Sequence, residues 1–407
     1  MLGLLLLALA GGPGIVRVGS PAHPTLATAV AAARAGDTVV VPAGTYREPT
    51  LILDRPVTLL GEPGAVLDGE GRRGLLVVRG PAVTVRGLTF RNTGTSYQED
   101  RAAVLLDGAA RCTLDANRFE QTFFAIYLSR TVACTVTDNR IVGTPTAEAA
   151  TGNAIHSWGS RDLVVRGNRM SGHRDGLYFE FTTHATVVDN LSTGNLRYGL
   201  HFMYADSSAY VGNRFLANGS GVAVMYSHHV TMRGNHFSRN RGPTAHGLLL
   251  KDITDVTLAG NTFDGNSTGV LADGANRLVA TDNSFQANGW AIRLLASSAD
   301  SRFSGNRFRG NSFDVTVNGR QAAARFDGNW WDAYRGWDLD RDGTGDVPHH
   351  PVRLFALLVE RAPAAMLLQR SLFVRLVDAA ERTVPLLTPD AIVDRHPQMT
   401  ASAGRAP

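Results

Sequence analysis

Histidine and methionine side chains, which can bind soft metal ions, cluster in one short part of this sequence. Residues 198–229 read YGLHFMYADSSAYVGNRFLANGSGVAVMYSHH, although the whole chain of 407 residues has 7 methionines and 12 histidines. Imidazole and thioether groups together favour a soft ion, above all Cu(I). The fold decides whether these side chains can act together.

A regular repeat predicts the fold. An asparagine followed by a bulky residue recurs at intervals that are mostly 22 or 23 residues. A period this regular indicates a solenoid, and short alternating segments between Gly, Asn and Asp indicate strands and turns. We expect an all-β protein, a single right-handed parallel β-helix of roughly ten coils, with three strands to a coil. The repeated asparagines are Asn117, Asn139, Asn168, Asn190, Asn213, Asn235, Asn261, Asn283, Asn306 and Asn329.

The repeat also predicts which side chains are neighbours. Counting back from each asparagine places two columns on the same face of one sheet. One column holds His156, Tyr178, His201 and Ala223, and the other holds Trp158, Glu180, Met203 and Met225. Met203 and Met225 should then lie one strand spacing apart, roughly 4.8 Å. His201 and Met203 are two residues apart on one strand, so the three side chains can converge.

Two interpretations of this cluster remain open. Methionine often fills gaps in a core, so Met203 and Met225 could be packing residues. The charged side chains at equivalent positions, Glu180 and Lys251, favour an outward face instead. If the cluster binds metal, the same surface offers further candidate ligands, which are His156, Glu180, His184 and His229.

The two cysteines of the chain occupy equivalent positions in neighbouring coils. Cys112 and Cys134 each lie five residues before a repeated asparagine, and the same position in other coils is apolar. This pattern favours a buried ladder of small side chains. Adjacent coils are also close enough for a disulfide in an oxidising compartment.

The segments outside the repeat suggest an export signal and two ends that cover the solenoid. MLGLLLLALAGG is too short to span a membrane and fits the apolar region of a signal peptide, although it lacks a basic start. A periplasmic location follows. The apolar segment after the repeat has helical periodicity. We expect an export signal at 1–14, a helical N-terminal cap at 15–45, the β-helix at 46–330, a Trp/Asp-rich loop at 331–352, C-terminal amphipathic helices at 353–390 and a tail at 391–407.

The sequence DLDRDGTGD in the loop resembles the first half of a calcium-binding loop. Acidic residues alternate there and a glycine follows, as in an EF-hand, but His349 stands where a bidentate glutamate is expected. A cluster of acidic turns is the alternative interpretation. The candidate calcium ligands are Asp338, Asp340, Asp342 and Asp346.

Composition and catalytic residues limit the other functions. The net charge of +4 is spread along the chain, which gives little support to nucleic-acid binding. The main alternative is a carbohydrate-active β-helix: a lyase, hydrolase or epimerase, which would need paired carboxylates or a general base. Asp175 and Glu180, with Arg174, form the one convincing cluster, and Asp175 precedes a turn glycine, which favours a structural role.

Several longer motifs resemble one known family. GNAIHSWGSRDLVVRGNRMSGHRDGLYFEFTTHATVVDN, GSGVAVMYSHHVTMRGNHF, HGLLLKDITD and FDGNWWDAYRGWDLDRDGTGDVPHH are similar to the NosD maturation factors of nitrous oxide reductase. The resemblance runs from about residue 15 to residue 390. The AGDTVVVPAGTY opening is more general and is shared with pectin-lyase-like β-helices.

The resemblance implies a non-catalytic periplasmic protein that helps to complete a copper–sulfur centre. Its implied partners are the permease and ATPase subunits of an ABC transporter, a membrane-anchored copper chaperone and nitrous oxide reductase. The implied cargo is copper, which strengthens the case for His201, Met203 and Met225 as ligands. The resemblance also favours docking of the C-terminal helices on the permease, whereas closing the end of the solenoid is the alternative. The candidate docking residues are Leu354, Phe355, Met366, Leu367, Leu372, Phe373 and Leu376.

Overall fold

The chain folds as a right-handed parallel β-helix, as the repeat predicts. The computed structural model describes residues 12–96, 101–295, 297–318, 324–369, 371–383 and 392–401. Strands from successive coils pair in parallel and form three faces, and the third face has 13 strands. Residues 1–11, which hold most of the predicted export signal, lie outside the described part of the chain.

Each face is a ladder of short strands. The first face consists of Leu51–Leu53, Leu76–Val78, Ala102–Asp107, Phe124–Ser129, Ile155–Trp158, Leu177–Glu180, Tyr198–Met203, Ser220–Met225, the first halves of His246–Ala259 and Thr268–Thr281, Trp290–Leu294 and Phe313–Val317.

The second face consists of Ile15–Arg17, Thr38–Val41, Thr58–Gly61, Thr84–Arg86, Thr113–Asp115, Thr135–Thr137, Val164–Arg166, Thr186–Val188, Ala209–Val211, His228–Arg233, the second halves of the two long strands, Ser301–Ser304 and Ala324–Asp327.

The third face consists of Gly44–Tyr46, Ala65–Asp68, Thr89–Arg91, Arg118–Glu120, Arg140–Val142, Arg169–Ser171, Leu191–Thr193, Arg214–Leu216, His236–Ser238, Thr262–Asp264, Ser284–Gln286, Arg307–Arg309 and Trp330–Trp331.

The core runs along the axis between the three faces. Side chains alternate along each strand, so every second residue points inward, and equivalent inward residues stack from coil to coil. On the third face Phe237, Phe263, Phe285 and Phe308 stack with ring centroids 4.7 to 5.0 Å apart. Trp331 ends this stack 4.0 Å from Phe308. The repeat therefore builds a continuous apolar column.

The repeated asparagines form the predicted ladder at the corner between the second and third faces. The backbone and side-chain amides of Asn213 both donate to Asn235 Oδ1, at 2.9 and 3.1 Å. Asn235 donates to Asn261 Oδ1 in the same way, at 2.9 and 3.0 Å. Each side chain thus satisfies buried backbone groups that a turn leaves unpaired.

A second asparagine ladder, which we did not predict from the sequence, runs parallel to the first. It lies at the corner between the third and first faces, five residues after the first ladder, and Asn195 donates to Asn218 Oδ1 at 3.0 and 2.9 Å. The N-x4-N spacing was the available signal. The members of this ladder are Asn195, Asn218, Asn240, Asn266, Asn288 and Asn311.

The solenoid begins earlier than the predicted boundary at residue 46. Ile15–Arg17 already pairs with Thr38–Val41, and the segment that connects these two strands contains the helix α1, Leu26–Ala32. The asparagine repeat predicts about ten coils, because the first coils have no asparagine at the corner of the first ladder. In the coil before Asn117 the corner residue is Leu88, whose backbone N donates to Asn117 Oδ1. Glu48 caps α1 by accepting from two of its backbone amides at 2.7 Å.

The structure also differs from the prediction at the segment expected to be a tail, because residues 392–401 return to the last coil. Asp394 is fully buried there. It accepts from Asn329 N and Asn329 Nδ2 at 3.0 Å each, and from Trp331 Nε1 at 3.0 Å. Asp394 thus takes the place that the next asparagine would hold and completes the ladder.

Helices follow the last coil. They are α2, Leu354–Arg361, a 3₁₀ turn at Pro363–Leu368, and α3, Leu372–Thr383. Another 3₁₀ turn, Glu148–Ala150, lies within the solenoid, between the strands Arg140–Val142 and Ile155–Trp158. Phe355 of α2 packs on Phe313 of the first face, with ring centroids 6.0 Å apart. Among the described residues, no helix combines the length and apolar character that crossing a membrane requires.

Candidate metal site on the first face

The two predicted columns lie side by side on the outer surface of the first face. Strand pairing places Glu180 opposite Met203 and Met203 opposite Met225. Phe202 and Val224, next to the methionines in sequence, are fully buried, whereas both methionines are half-buried. The methionines therefore point away from the core, so core packing does not account for them.

The imidazole of His201 lies beneath a cover of aromatic rings. Its ring centroid is 5.0 Å from that of Tyr178 and 4.8 Å from that of Tyr198. The side chain is 3% exposed, and neither ring nitrogen has a hydrogen-bond partner among the residues that the structure describes. Buried polar atoms are normally paired. Both ring nitrogens are therefore left unpaired beneath the aromatic cover.

His201 stays neutral at physiological pH. Burial lowers its pKa to about 4, and the positive charges of Arg197 and Arg174 contribute in the same direction. A metal ion binds the neutral imidazole. His201 therefore needs no proton release before it can coordinate an ion.

His156 belongs to a separate part of the column. Asn153 accepts from His156 Nδ1 at 3.0 Å and from Arg174 Nη2 at 3.2 Å, and its amide nitrogen donates to Asp175 Oδ2 at 3.1 Å. Burial lowers the pKa of His156 to about 3. Tyr178 lies between His156 and His201, so the two histidines are two coils, about 10 Å, apart along the stack. A single ion cannot bind both.

The other candidate ligands lie in different surroundings. Glu180 is half-buried and accepts from the Tyr178 hydroxyl at 3.3 Å. His184 and His229 are exposed on a corner and lie 3.7 Å from Asp162 and Asp255, respectively. Ser207 lies between them in the same column of left-handed turn residues, so His184 and His229 are two coils apart and do not face each other.

The acidic cluster proposed as a catalytic pair has a structural role at Asp175. This carboxylate is fully buried, accepts from Tyr198 N at 3.0 Å and lies 3.2 Å from Arg174 Nε. Burial raises its pKa. Asp175 thus holds a turn between two coils.

Three of the four predicted calcium ligands come together. Carboxylate oxygens of Asp338, Asp340 and Asp346 lie within 4.8 Å of one another, and no other trio of His, Cys, Asp or Glu converges in this way in the described part of the chain. Asp342 instead accepts from Thr344 N at 2.6 Å. The loop amides also donate to Asp338, with Gly343 N at 3.0 Å. Calcium binding at this loop stays a prediction.

The two cysteines are stacked in the core. Both thiols are free and buried, and Cys112 N donates to Cys134 Sγ at 3.4 Å. The sulfur of Cys134 and burial raise the pKa of the Cys112 thiol. They occupy the buried positions that the repeat assigned to them.

The buried histidines make a testable pH prediction. Burial lowers the pKa of His173 to about 4, below the value of roughly 6.5 in an unfolded chain. Between these values the unfolded state takes up a proton that the folded state rejects, so stability falls as the pH falls from 6.5 towards 4. When the pH falls from 7 to 5, the free energy of unfolding should therefore decrease in the parent by about 1–2 kcal/mol more than in His173→Leu.

Denaturant unfolding followed by circular dichroism at the two pH values measures this difference. His184→Leu is the matched control, because it removes an exposed imidazole rather than a buried one. An equal loss of stability in His173→Leu and in the parent would contradict the assignment of a neutral buried imidazole.

The fold and this surface define an all-β solenoid with an external soft-donor patch. A family model described as "Periplasmic copper-binding protein (NosD)" matches residues 144–336. A relative from Pseudomonas aeruginosa, named "Probable ABC transporter binding protein NosD", is 34% identical over 373 residues, which cover 86% of each chain. A protein of the same name from Stutzerimonas stutzeri is 28% identical over 379 residues, covering 88% of this chain and 86% of the relative. The chain belongs to the NosD family.

Solved structures with the same architecture are distant in sequence. The match to the catalytic domain of a GH87 α-1,3-glucanase covers 80% of this chain and 70% of the glucanase chain, with a TM-score of 0.61 and 12% identity. The match to a PL6 alginate lyase covers 75% of this chain and 81% of the lyase chain, with a TM-score of 0.59 and 14% identity. The match to the adhesin PfbA of Streptococcus pneumoniae covers 73% of this chain and 84% of the adhesin chain, with a TM-score of 0.52 and 13% identity. At these identities the likeness establishes the fold alone.

Proposed function

We propose that this protein is a periplasmic copper carrier that works with an ABC transporter to mature the copper–sulfur centre of nitrous oxide reductase. The observation that carries the proposal is the buried, unpaired imidazole of His201 beside two outward-facing methionines on adjacent coils. The family description and the names of the relatives support a role in copper handling and transporter association. In this role the protein is an accessory factor rather than an enzyme.

The ligand set suits Cu(I) more than hard ions. Thioethers and a neutral imidazole are soft or intermediate donors, whereas Ca(II) and Mg(II) prefer oxygen ligands. His201 and Met203 would bind from one strand, and Met225 would bind from the next coil. Copper is the cargo in this scheme, so the site needs to release it as well as to hold it.

The charges around the site favour release. The Arg174 guanidinium lies 6.0 Å from the centre of the Tyr178 ring, and that of Arg197 lies 4.9 Å from the centre of the Tyr198 ring, so both flank the aromatic cover of His201. Two nearby guanidinium groups oppose the binding of another cation, and Glu180, opposite Met203, offsets part of that charge. Moderate affinity is what transfer to a client requires. The proposed donor of the copper is a membrane-anchored chaperone, and the proposed client is nitrous oxide reductase.

The C-terminal helices provide the proposed contact with the transporter. Leu367, Leu372 and Leu376 are 91%, 70% and 61% exposed, and Phe373 is 49% exposed. Exposed apolar side chains in such density mark interaction surfaces. Phe355 is not available for docking, because it is 3% exposed and packs on Phe313, and Met366 packs against the same buried cluster. Leu354 is 37% exposed and lies beside this surface.

The double substitution Leu372→Glu with Leu376→Glu tests this contact. Both side chains are mainly exposed, so the fold should be retained, whereas burying two carboxylates in an interface with the permease is costly. We expect at least a tenfold loss of co-purification with the co-expressed permease and ATPase subunits. Leu339→Glu is the control, because Leu339 is 80% exposed in the Trp/Asp-rich loop. Undiminished co-purification of the double variant would place the contact elsewhere.

A further inference from the structure

A pocket of about 490 Å³ opens on the first face between the proposed copper site and α2. Its polar and aromatic lining comes from three successive coils, which contribute Thr244 and His246, then Ser267 and Thr268, and then Trp290 and Arg293. A volume of this size accommodates a small organic molecule or ion. Neither the copper ligands nor the docking residues line it.

The rim of the pocket is fixed by an insertion in the repeat. The spacing from Asn235 to Asn261 is 26 residues, and the added residues form the loop over residues 239–245. Gly242 N donates to Ser267 Oγ at 3.1 Å, and Arg241 Nε donates to Gly265 O at 2.8 Å. These bonds hold the loop against the next coil and keep the pocket open.

Two residues that line the pocket each have a buried nitrogen without a hydrogen-bond partner in the described part of the chain. These atoms are His246 Nδ1 and Trp290 Nε1. An unpaired buried polar atom costs about 1–3 kcal/mol, so two of them around one cavity call for an occupant. The indole N–H can only donate, which means that the occupant supplies an acceptor. Stacking on Phe313, with centroids 5.6 Å apart, fixes the plane of the indole.

Arg293 adds a positively charged donor in a fixed position. Its Nε and Nη2 each donate to Glu360 of α2 at 3.0 Å, and its guanidinium lies 5.2 Å from the centre of the Trp290 ring. The ion pair with Glu360 does not use Nη1. The guanidinium is therefore preorganised, with one nitrogen left for a ligand.

The lining excludes a metal ion and favours an anion. It contains no carboxylate, thiol or thioether, and Glu360 is committed to Arg293. The imidazole of His246 is neutral, because burial and the charge of Arg293 lower its pKa to about 4. The groups around the cavity are thus an indole N–H, a neutral imidazole, hydroxyls and a guanidinium. All of them can donate to oxygen.

We propose that this pocket binds a small carboxylate or an inorganic oxyanion through Trp290, His246 and Arg293. The proposal is independent of copper binding. The acceptor oxygens would pair with the two unpartnered nitrogens and with Arg293 Nη1, while the hydroxyls of Thr244 and Thr268 complete the contacts. A carboxylate and a sulfate share this chemistry, and the experiment distinguishes them.

Isothermal titration calorimetry on the full mature protein tests the pocket. Sodium acetate and sodium sulfate are the two probes, and sodium chloride at matched ionic strength is the reference. We expect saturable binding of at least one probe beyond the chloride response. Acetate binding would identify a carboxylate site, and sulfate binding would identify an inorganic oxyanion site. A response no greater than that of chloride for both probes would overturn the proposal.

The substitution Trp290→Phe removes the indole N–H but keeps an aromatic ring to stack on Phe313. We expect it to weaken binding of the active probe about tenfold, and Thr268→Val provides a second variant if Trp290→Phe does not fold. Trp158→Phe is the matched control, since Trp158 is an exposed tryptophan several coils away. Unchanged affinity in both Trp290→Phe and Thr268→Val would also overturn the assignment.

Discussion

Met203→Leu combined with Met225→Leu is expected to lower Cu(I) affinity about 100-fold or more. Loss of a group that merely orients a metal ligand costs 10–100-fold in affinity, and this variant removes two of three ligands. Leucine conserves volume and apolarity, so the free energy of unfolding should change by less than about 1.5 kcal/mol. The two side chains are half-buried, which limits the effect on packing further.

Competitive titration with a Cu(I) chelator under anaerobic conditions measures the affinity. Met232→Leu is the control, because Met232 is a buried core residue on the second face and the same substitution there should leave copper binding intact. Parental affinity in the double variant would show that the two methionines do not bind copper. His156, Glu180, His184 and His229 would then be the next candidate ligands.

Asp394→Ala is expected to lower the free energy of unfolding by about 3–5 kcal/mol. The carboxylate is fully buried, and both of its oxygens accept from the last coil, with Gly328 N at 3.1 Å and two Asn329 nitrogens at 3.0 Å. Trp331 Nε1 donates to the same carboxylate. Alanine leaves these buried donors unpaired, at about 1–3 kcal/mol for each donor that water does not reach. Asp394→Asn keeps one acceptor and should lose less stability.

Urea unfolding followed by circular dichroism compares these variants. Asp54→Ala is the matched control, because the side chain of Asp54 is 60% exposed in an ion pair with Arg55 and should contribute under about 1 kcal/mol. If Asp394→Ala were as stable as Asp54→Ala, the returning C-terminal segment would not close the asparagine ladder. The contacts of Asp394 bring residues 392–401 against the last coil, so we expect this segment, rather than the exposed face of α3, to cap the solenoid.

The repeat was sufficient to predict which residues are neighbours along the stack. In a solenoid each coil repeats the previous one, so a fixed sequence offset becomes a fixed spatial offset. The pairing of Glu180 with Met203 and of Met203 with Met225 is confirmed for this reason. The outward direction was suggested by charged residues at the same position, and the half-buried methionines agree with it.

Features that do not follow the repeat were not predicted. Asp394 lies 65 residues after Asn329 and joins the ladder from a different segment, so no spacing in the sequence indicates the contact. The cover over His201 depends on how Tyr178 and Tyr198 pack, which periodicity does not specify. The first coils were missed because they lack the asparagine. For Asp394 and for the cover over His201, tertiary packing rather than a local pattern decides the position.

X-ray absorption spectroscopy of the anaerobically Cu(I)-loaded protein tests the proposed copper site most directly, because it reports the atoms bound to the metal. We predict a first shell that contains sulfur from Met203 and Met225 and one imidazole nitrogen from His201. In the Met203→Leu, Met225→Leu variant the sulfur contribution should disappear. A parental spectrum that contains only nitrogen and oxygen neighbours would contradict the assignment of copper to this site.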